Sequence, residues 1–209
     1  NIIFKILSFC FLYPKKNVNS LIKSVLNRIK YNVDISSVSF YFFSAFIYFF
    51  IYRNIFLLQE YYVNKFDKEK SFSLHFFEHV YGSSNQRGKA MVDLQNIYSL
   101  NNYKIKTNEL PDYIPLFLEY ISLISYKNSM FLLNEAIKII SILKNRSKIK
   151  GSYYYNIFYV LCDIVKSQPY SVINDLYFNN NLCNIEKGNN EIDKEWVEKT
   201  AFFYNNSLD

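Results

Sequence analysis

Apolar side chains recur every three or four residues along most of this chain, a spacing that is typical of α-helices with one buried face. The clearest stripe consists of Ile114, Phe117, Leu118, Ile121 and Ile124. The chain has only four glycines and four prolines in 209 residues, so long regular elements have few interruptions. No segment shows the strict alternation of a half-buried strand. We therefore predict an all-α fold, a single-domain bundle of about eight to ten helices that covers residues 1–209.

The helices can be bounded by their apolar stripes and by the turn residues between them. We predict helices at residues 2–12, 18–31, 40–52, 54–66, 129–148, 152–166 and 191–203, with Gly151 as a stop and an irregular segment at 170–190. Three more helices fall in the central stretch: the first ends at Gly82, the second ends at Asn101, and the third has Asp112 as its N-cap. The first of these three is expected to present on one face Phe72, His75, Phe76 and His79.

Residues 40–52 (FYFFSAFIYFFIY) form the most apolar run in the chain. The run holds 13 residues before Arg53, whereas a membrane-spanning helix needs about 20. We therefore predict a buried core helix here rather than a membrane segment, and we expect the protein not to be an integral membrane protein.

The chain carries a formal net charge of +6, which would ordinarily raise nucleic acid as a partner. Its lysines are scattered rather than clustered, so we predict a solvated surface and no nucleic-acid partner. Cys10, Cys162 and Cys183 are far apart and include no C-x-x-C pair, so neither a disulfide framework nor a cysteine metal site is expected. This pattern fits a reducing, cytoplasmic environment.

Residues 75–79 (HFFEH) match H-x-x-E-H, a motif of inverted zinc peptidases. On one helix, His75 and His79 would share a face and could both bind zinc, with Glu78 as the general base. They are the only two histidines in the chain, and no signature marks a third ligand. A zinc metallopeptidase is therefore kept as an alternative. The favoured expectation is that no metal is bound and that His79 is a hydrogen-bonded side chain at the edge of a groove.

Three motifs between residues 74 and 120 carry the most specific pattern in the sequence. Residues 77–82 are FEHVYG, residues 87–94 are RGKAMVDL, and residues 109–120 are ELPDYIPLFLEY. In this order and at this spacing they resemble the NarJ branch of the TorD-like family of redox-enzyme maturation chaperones. Residues 12–14 (LYP) are similar to the N-terminal corner of that family.

The resemblance implies a cytoplasmic chaperone of all-α fold that is not an enzyme. Its partner would be the nitrate reductase α subunit, whose N-terminal segment it would bind as an amphipathic helix. It would work beside the machinery that inserts the molybdenum cofactor. The chaperone itself would hold no cofactor stably, because it acts on a molybdenum-cofactor enzyme. A TorD-like chaperone for another molybdoenzyme is the first alternative, and the RGKAMVDL motif favours the nitrate reductase branch.

The resemblance also implies which residues bind the client peptide. They are Glu78, His79, Arg87, Met91, Asp93, Glu109, Pro111, Asp112, Tyr113, Leu116 and Glu119. Tyr113 stands where the family has His, so a role that requires an imidazole is not expected there, although Tyr keeps a ring and a hydrogen-bonding tip. Arg87, Asp93 and Glu119 allow two further interpretations, a charged catalytic set or a half-buried ion-pair network between helices.

Overall fold

The structure is a computed structural model, and it describes residues 1–15, 35–82 and 85–167. These residues contain eight α-helices: α1 (Ile2–Cys10), α2 (Ser37–Ile51), α3 (Ile55–Tyr62), α4 (Phe76–Tyr81), α5 (Asn85–Leu100), α6 (Ile114–Leu123), α7 (Tyr126–Ile149) and α8 (Tyr154–Lys166). Within the described ranges there is no strand, only a single antiparallel bridge between His75 and Tyr113. The all-α prediction is confirmed.

Three helix–helix contacts and an aromatic cluster make up the core. Helix α8 packs between α7 and α2, and α1 packs along α6. Where these layers meet, the buried ring of Phe11 stacks on Tyr154 with a centroid distance of 6.0 Å and lies 4.9 Å from the ring of Phe158. Large rings fill this space because each buries a wide apolar area.

Helix α2 buries one face and exposes the other. Phe43, Phe46 and Ile47 are buried against the core, whereas Tyr41 is 69% exposed and Tyr48 is 55% exposed. The predicted core helix therefore exists, but only half of its ring-rich surface is covered by described residues. In the part of the chain that the structure describes, no helix is both long enough and apolar enough to cross a membrane.

Several predicted boundaries are confirmed by local backbone chemistry. Helix α6 begins with Pro115 in its first turn, where the missing N–H of proline leaves no hydrogen bond unmade. Helix α7 ends before Gly151, which adopts a φ of +59° that glycine accommodates easily. The helix predicted at 54–66 runs as α3 and then as a π-helical turn, Val63–Asp67. Predictions for 18–31, 170–190 and 191–203 lie outside the described residues.

The first central helix is shorter than predicted. Phe72 belongs to a separate 3-10 turn, and His75 has extended backbone at the N-cap position of α4. Residues 74–76 are extended because they pair with the segment before α6: the N–H of Ile114 donates to the Leu74 carbonyl (2.8 Å), and the N–H of Phe76 donates to the carbonyl of Asp112 (3.0 Å). The prediction that Phe72, His75, Phe76 and His79 share one helical face is therefore wrong.

Candidate functional site

Asp112 is buried and caps a helix other than its own. Its side chain is 0% exposed, and its Oδ2 accepts a hydrogen bond from the backbone N–H of Phe77 at 3.1 Å. Phe77 is the second residue of α4, where an N-cap side chain usually accepts such a bond. The prediction that Asp112 caps α6 is wrong, because Tyr113 holds that position without a side-chain cap. Asp112 instead joins the loop before α6 to the start of α4.

Ionic contacts extend from Asp112 across α4 and α5. Arg87 Nη2 lies 3.1 Å from Glu78 Oε1 and 3.9 Å from Asp112 Oδ2. Burial opposes ionisation of Glu78, but a hydrogen bond with Ser73 and the charge of Arg87 together lower the pKa of its carboxyl. The half-buried ion-pair interpretation thus fits Arg87. It does not fit Glu119, which forms an ion pair with Lys5 at a different place. Among the described residues, Asp93 takes part in neither the Arg87 ion pairs nor the Lys5–Glu119 ion pair.

His79 is held as a neutral imidazole by its two neighbours. Its Nε2 lies 2.8 Å from the carbonyl oxygen of Ser73, which can only accept, and its Nδ1 lies 3.3 Å from Arg146 Nη1, which can only donate. The proton must therefore sit on Nε2. Burial and, after it, the charge of Arg146 lower the pKa of His79, while the hydrogen bond to Ser73 opposes this. His79 is therefore hydrogen-bonded, as expected.

The two histidines do not form the arrangement that a zinc peptidase needs. His75 precedes α4, and its Nδ1 lies 3.1 Å from Asp112 Oδ1, whereas both ring nitrogens of His79 already have other partners. Across residues 1–15, 35–82 and 85–167, no group of three or more His, Cys, Asp or Glu side chains could hold a metal. The zinc alternative lacks its geometric basis here.

The loop that carries residues 109–113 is held in place by a hydrogen bond from helix α5. The hydroxyl of the buried Tyr98 on α5 donates to the carbonyl oxygen of Pro111 at 2.8 Å, and Pro111 is itself buried. Tyr113 is half-buried, with its hydroxyl 3.3 Å from that of Tyr62 and its ring centroid 5.3 Å from that of His75. Burial, followed by the nearby charges of Glu109 and Asp67, raises the pKa of Tyr113.

An open groove of about 1320 Å³ lies on the other side of this loop. One wall is α1 with the residues that follow it, the opposite wall is the loop that links α5 to α6, and the floor is the start of α6. The first wall contributes Lys5, Ser8, Phe9, Leu12, Tyr13 and Lys15. The loop contributes residues 102–107 and Glu109, and the floor contributes Tyr113, Pro115, Leu116 and Glu119.

Helices α1 and α6 run antiparallel where they border the groove. Ser8 Oγ donates to the Pro115 carbonyl at 2.6 Å, and one turn earlier on α1 Lys5 forms an ion pair with Glu119, one turn later on α6. Glu119 also accepts a hydrogen bond from the Tyr103 hydroxyl at 3.3 Å. This pattern places Glu119 at one end of the groove and Tyr113 at the other.

The predicted client-binding residues fall into two sets that the structure separates. Four of them line the groove: Glu109, Tyr113, Leu116 and Glu119. The other seven lie outside its lining: Glu78, His79, Arg87, Met91, Asp93, Pro111 and Asp112. Within this second set, Glu78, Arg87 and Asp112 form the ionic network beneath the loop.

Most of the groove walls lie outside the residues predicted to bind a client. Leu12 and Tyr13, 42% and 44% exposed, enter the sequence pattern only as part of the N-terminal corner. Residues 103–106 (YKIK) belong to none of the three motifs. The sequence does contain a signal for this wall. Between the helix stop at Asn101 and the motif at residues 109–113, lysines alternate with ring and aliphatic side chains. This alternation is more typical of a segment with one packed side than of a fully solvated linker.

The described residues form an all-helical fold with an open, largely apolar cleft. Comparison of the sequence with known proteins gives more specific information. Residues 54–141 match the family model described as nitrate reductase delta subunit. The chain is NarJ-like over this segment, and the resemblance predicted from the three motifs is confirmed there.

Individual relatives show the same similarity. The chain is 34% identical over 109 residues to the nitrate reductase molybdenum cofactor assembly chaperone NarJ of Escherichia coli (strain K12), covering 52% of this chain and 46% of that one. It is 36% identical over 102 residues to the probable assembly chaperone NarW of the same strain, covering 49% and 44%. A probable NarJ of Bacillus subtilis (strain 168) is 27% identical over 104 residues, covering 50% and 56%. The matches span about half the length of these relatives.

Proposed function

We propose that this protein is a cytoplasmic assembly chaperone for a respiratory nitrate reductase and is not itself an enzyme. It binds the N-terminal segment of the nitrate reductase α subunit and keeps the apoenzyme open while the molybdenum cofactor is inserted. The observation that carries this proposal is an open apolar groove bounded by α1 and α6, in a chain whose residues 54–141 match the nitrate reductase delta subunit family.

The groove has the surface that an amphipathic helix requires. Phe9 and Leu12 on the α1 wall, Ile105 on the loop wall, and Pro115 and Leu116 on the floor present apolar atoms along its length. A client helix that lays its apolar face on these residues gains affinity by burying surface that both partners expose when apart. Because Leu12 is 42% exposed in the free protein, covering it is favourable.

The groove is also preorganised, so binding need not order its floor. Ser8 on α1 is tied to Pro115 on α6, and Tyr98 is tied to the carbonyl of Pro111 beneath the loop. A site that is already formed loses less conformational entropy on binding than one that must fold around its ligand. Glu109, Tyr113, Leu116 and Glu119 are then the predicted client-binding residues that touch the peptide directly.

The remaining predicted residues affect binding indirectly, by holding the groove-forming segments in place. Glu78, Arg87 and Asp112 hold α4, α5 and the loop before α6 in fixed relation. A change in any of them would shift the 109–113 segment and thereby the floor of the groove. His79, Met91, Asp93 and Pro111 are proposed to contribute in the same indirect way.

A matched pair of variants tests the location of the site. Leu12→Ser removes an apolar side chain from the groove wall, whereas Leu57→Ser removes one that is 52% exposed and does not line the groove. Calorimetric titration with a peptide of the client N-terminus, about 15–28 residues long, should show weaker binding for Leu12→Ser and unchanged binding for Leu57→Ser. Equal affinity for both variants would place the peptide elsewhere. Binding of the N-terminal peptide of another molybdoenzyme in preference to that of nitrate reductase would assign the same groove to a different client.

A further inference from the structure

Two turns meet at one end of the helix bundle. The α2–α3 turn lies beside the α7–α8 turn because the ring of Phe49, in the last turn of α2, stacks on that of Tyr153 with 3.9 Å between their centroids. The hydroxyl of Tyr61 on α3 accepts a hydrogen bond from the backbone N–H of Tyr153 at 2.8 Å. We call the exposed surface of these turns and the adjoining helix ends the tip. It consists of Tyr52, Arg53, Leu57, Lys148, Ile149 and Lys150.

Three apolar side chains of the tip are well exposed. Ile149, the last residue of α7, is 84% exposed, Tyr52 is 79% exposed and Leu57 is 52% exposed. Scattered apolar residues are ordinary on a protein surface, but a group of them at one place, rimmed by polar groups, marks an interaction site. Here the flanking groups are cations, since Ile149 stands between Lys148 and Lys150.

The elements that form the tip carry positive charge without carboxylates. Residues 35–59 contain Arg53 and no Asp or Glu. Residues 136–162 contain no Asp or Glu either, and they carry five cations: Lys138, Lys144, Arg146, Lys148 and Lys150. Residues 67–70 (DKEK) reach the tip through Glu69 Oε2, which lies 3.8 Å from Lys150 Nζ, and bring equal numbers of both signs. The tip therefore has a local positive charge that the sequence alone does not indicate.

The breaks in the described chain lie away from the tip. Helices α2 and α8 are antiparallel, and Ser39 at the start of α2 donates to Asp163 near the end of α8 at 2.6 Å. The description resumes just before α2 and ends just after α8, so both of these breaks are separated from the tip by the length of α2, 15 residues or about 20 Å. Before the break that follows α1, the Pro14 carbonyl accepts from Gln59 Nε2 at 2.9 Å, and Gln59 is two residues from Leu57 and so points to the other side of α3.

We propose that the tip docks on an anionic lipid surface and lies on it without crossing it. The apolar side chains enter the boundary between headgroups and acyl chains, while Arg53, Lys148 and Lys150 stay beside the lipid phosphates. A lipid leaflet offers apolar and anionic groups side by side, which matches an exposed Ile149 with a lysine on either side. The groove lining contains none of the six tip residues, so this inference goes beyond the proposed function and does not depend on it.

Sedimentation of the full chain with lipid vesicles tests the proposal. Vesicles of phosphatidylcholine alone are compared with vesicles in which about one third of the lipid is phosphatidylglycerol. We expect the protein to bind the anionic vesicles and not the neutral ones. This binding should weaken as salt is raised, because counterions screen exposed charges.

A charge-reversal pair locates the contact. Lys148→Glu with Lys150→Glu should weaken vesicle binding by more than about tenfold, because each lysine near an anionic surface contributes to binding. The matched control is Lys127→Glu with Lys166→Glu, which makes the same change in net charge on two exposed lysines at the other end of α7 and α8. The control should lose far less affinity for the vesicles.

A second pair of variants tests the apolar contribution. Ile149→Ser and Leu100→Ser each replace the last residue of a helix, and the two side chains are 84% and 83% exposed. Ile149→Ser should weaken vesicle binding by about fivefold because it removes an apolar side chain from the contact. Leu100→Ser, on α5 and outside the tip, should leave vesicle binding unchanged.

The outcomes are distinct. No binding of the folded full chain to anionic vesicles at low salt would overturn the inference. Equal weakening by the two charge-reversal variants would also overturn it, since the effect would then follow net charge alone, and so would unchanged binding of Ile149→Ser. Binding to polyglutamate but not to vesicles, lost on Lys148→Glu with Lys150→Glu, would assign the tip to an acidic protein instead. Binding of the client peptide to the groove is a separate measurement, so the proposed function stands or falls by itself.

Discussion

The carboxylate of Asp112 lies 3.1 Å from the backbone nitrogen of Phe77, and through this bond the loop before α6 caps the start of α4. Residues 77–82 and residues 109–120, two of the three motifs that carry the resemblance, therefore meet at one buried contact. Arg87, from the third motif, lies 3.9 Å from the same carboxylate. The three motifs describe one structural unit, and the groove is formed on its outer side.

The first prediction concerns the buried carboxylate itself. Asp112→Ala removes the acceptor for the Phe77 N–H and the partner of His75, so the free energy of unfolding should fall by about 2–3 kcal/mol. Asp112→Asn keeps one acceptor oxygen and should cost less. Urea denaturation followed by circular dichroism measures both, and an alanine variant as stable as the parent would contradict the capping role.

A second prediction tests the support beneath the loop. Tyr98→Phe removes the hydroxyl that donates to the Pro111 carbonyl and leaves a buried acceptor without its donor. The expected loss of unfolding free energy is about 1–2 kcal/mol. Tyr103→Phe, which removes a hydroxyl from a partly exposed ring, is the control and should cost less. Equal costs would show that the Tyr98 bond does not anchor the loop.

The third prediction follows from the lowered pKa of His79. Because burial and Arg146 hold the pKa of His79 in the folded protein below its unfolded value of about 6.5, the unfolded chain binds more protons as the pH falls. The contribution of this group to stability is therefore complete above about pH 6.5 and is lost as the pH falls toward the folded pKa.

His79→Gln separates this effect from other titrations. The free energy of unfolding should drop between pH 7.5 and pH 5.5 in the parent protein (about the window set by the unfolded pKa of His), and it should drop less in the variant. All other side chains are the same in both proteins, so their contributions cancel in the comparison. An equal or larger drop in the variant would contradict the neutral, buried state of His79.

The fourth prediction addresses metal. Since His75 contacts Asp112 and both ring nitrogens of His79 are engaged, neither added zinc nor a chelator should change the melting temperature. Elemental analysis of protein purified without chelator should find less than about one tenth of an equivalent of zinc, because a structural site would be filled nearly completely. Stoichiometric zinc, with a melting temperature that falls on chelation, would restore the metallopeptidase alternative.

Some features of the fold are predictable from the sequence because they depend only on neighbouring residues. The stripe of Ile114, Phe117, Leu118 and Ile121 follows from helical periodicity, and all four residues are fully buried. The stop at Gly151 and the position of Pro115 follow from backbone rules that need no tertiary partner.

Other features depend on contacts between distant segments. Asp112 has the sequence context of an N-cap for α6, yet its partner is 35 residues earlier, because residues 74–76 pair with its loop. His75 was expected inside a helix for the same reason. The groove wall is not predictable from periodicity alone. Leu7 in α1 is buried, whereas Leu12, just after the end of α1, is 42% exposed, and both fit the same apolar pattern.

The central claim is that the groove binds the N-terminal segment of the nitrate reductase α subunit, and isothermal titration at several temperatures tests it most directly. We expect saturable binding of a helix-competent peptide of about 15–28 residues to the full chain. The binding should have a negative heat-capacity change, because apolar surface on Leu12, Ile105 and Leu116 is removed from water. No binding of this peptide to protein that is folded and helical by circular dichroism would contradict the account.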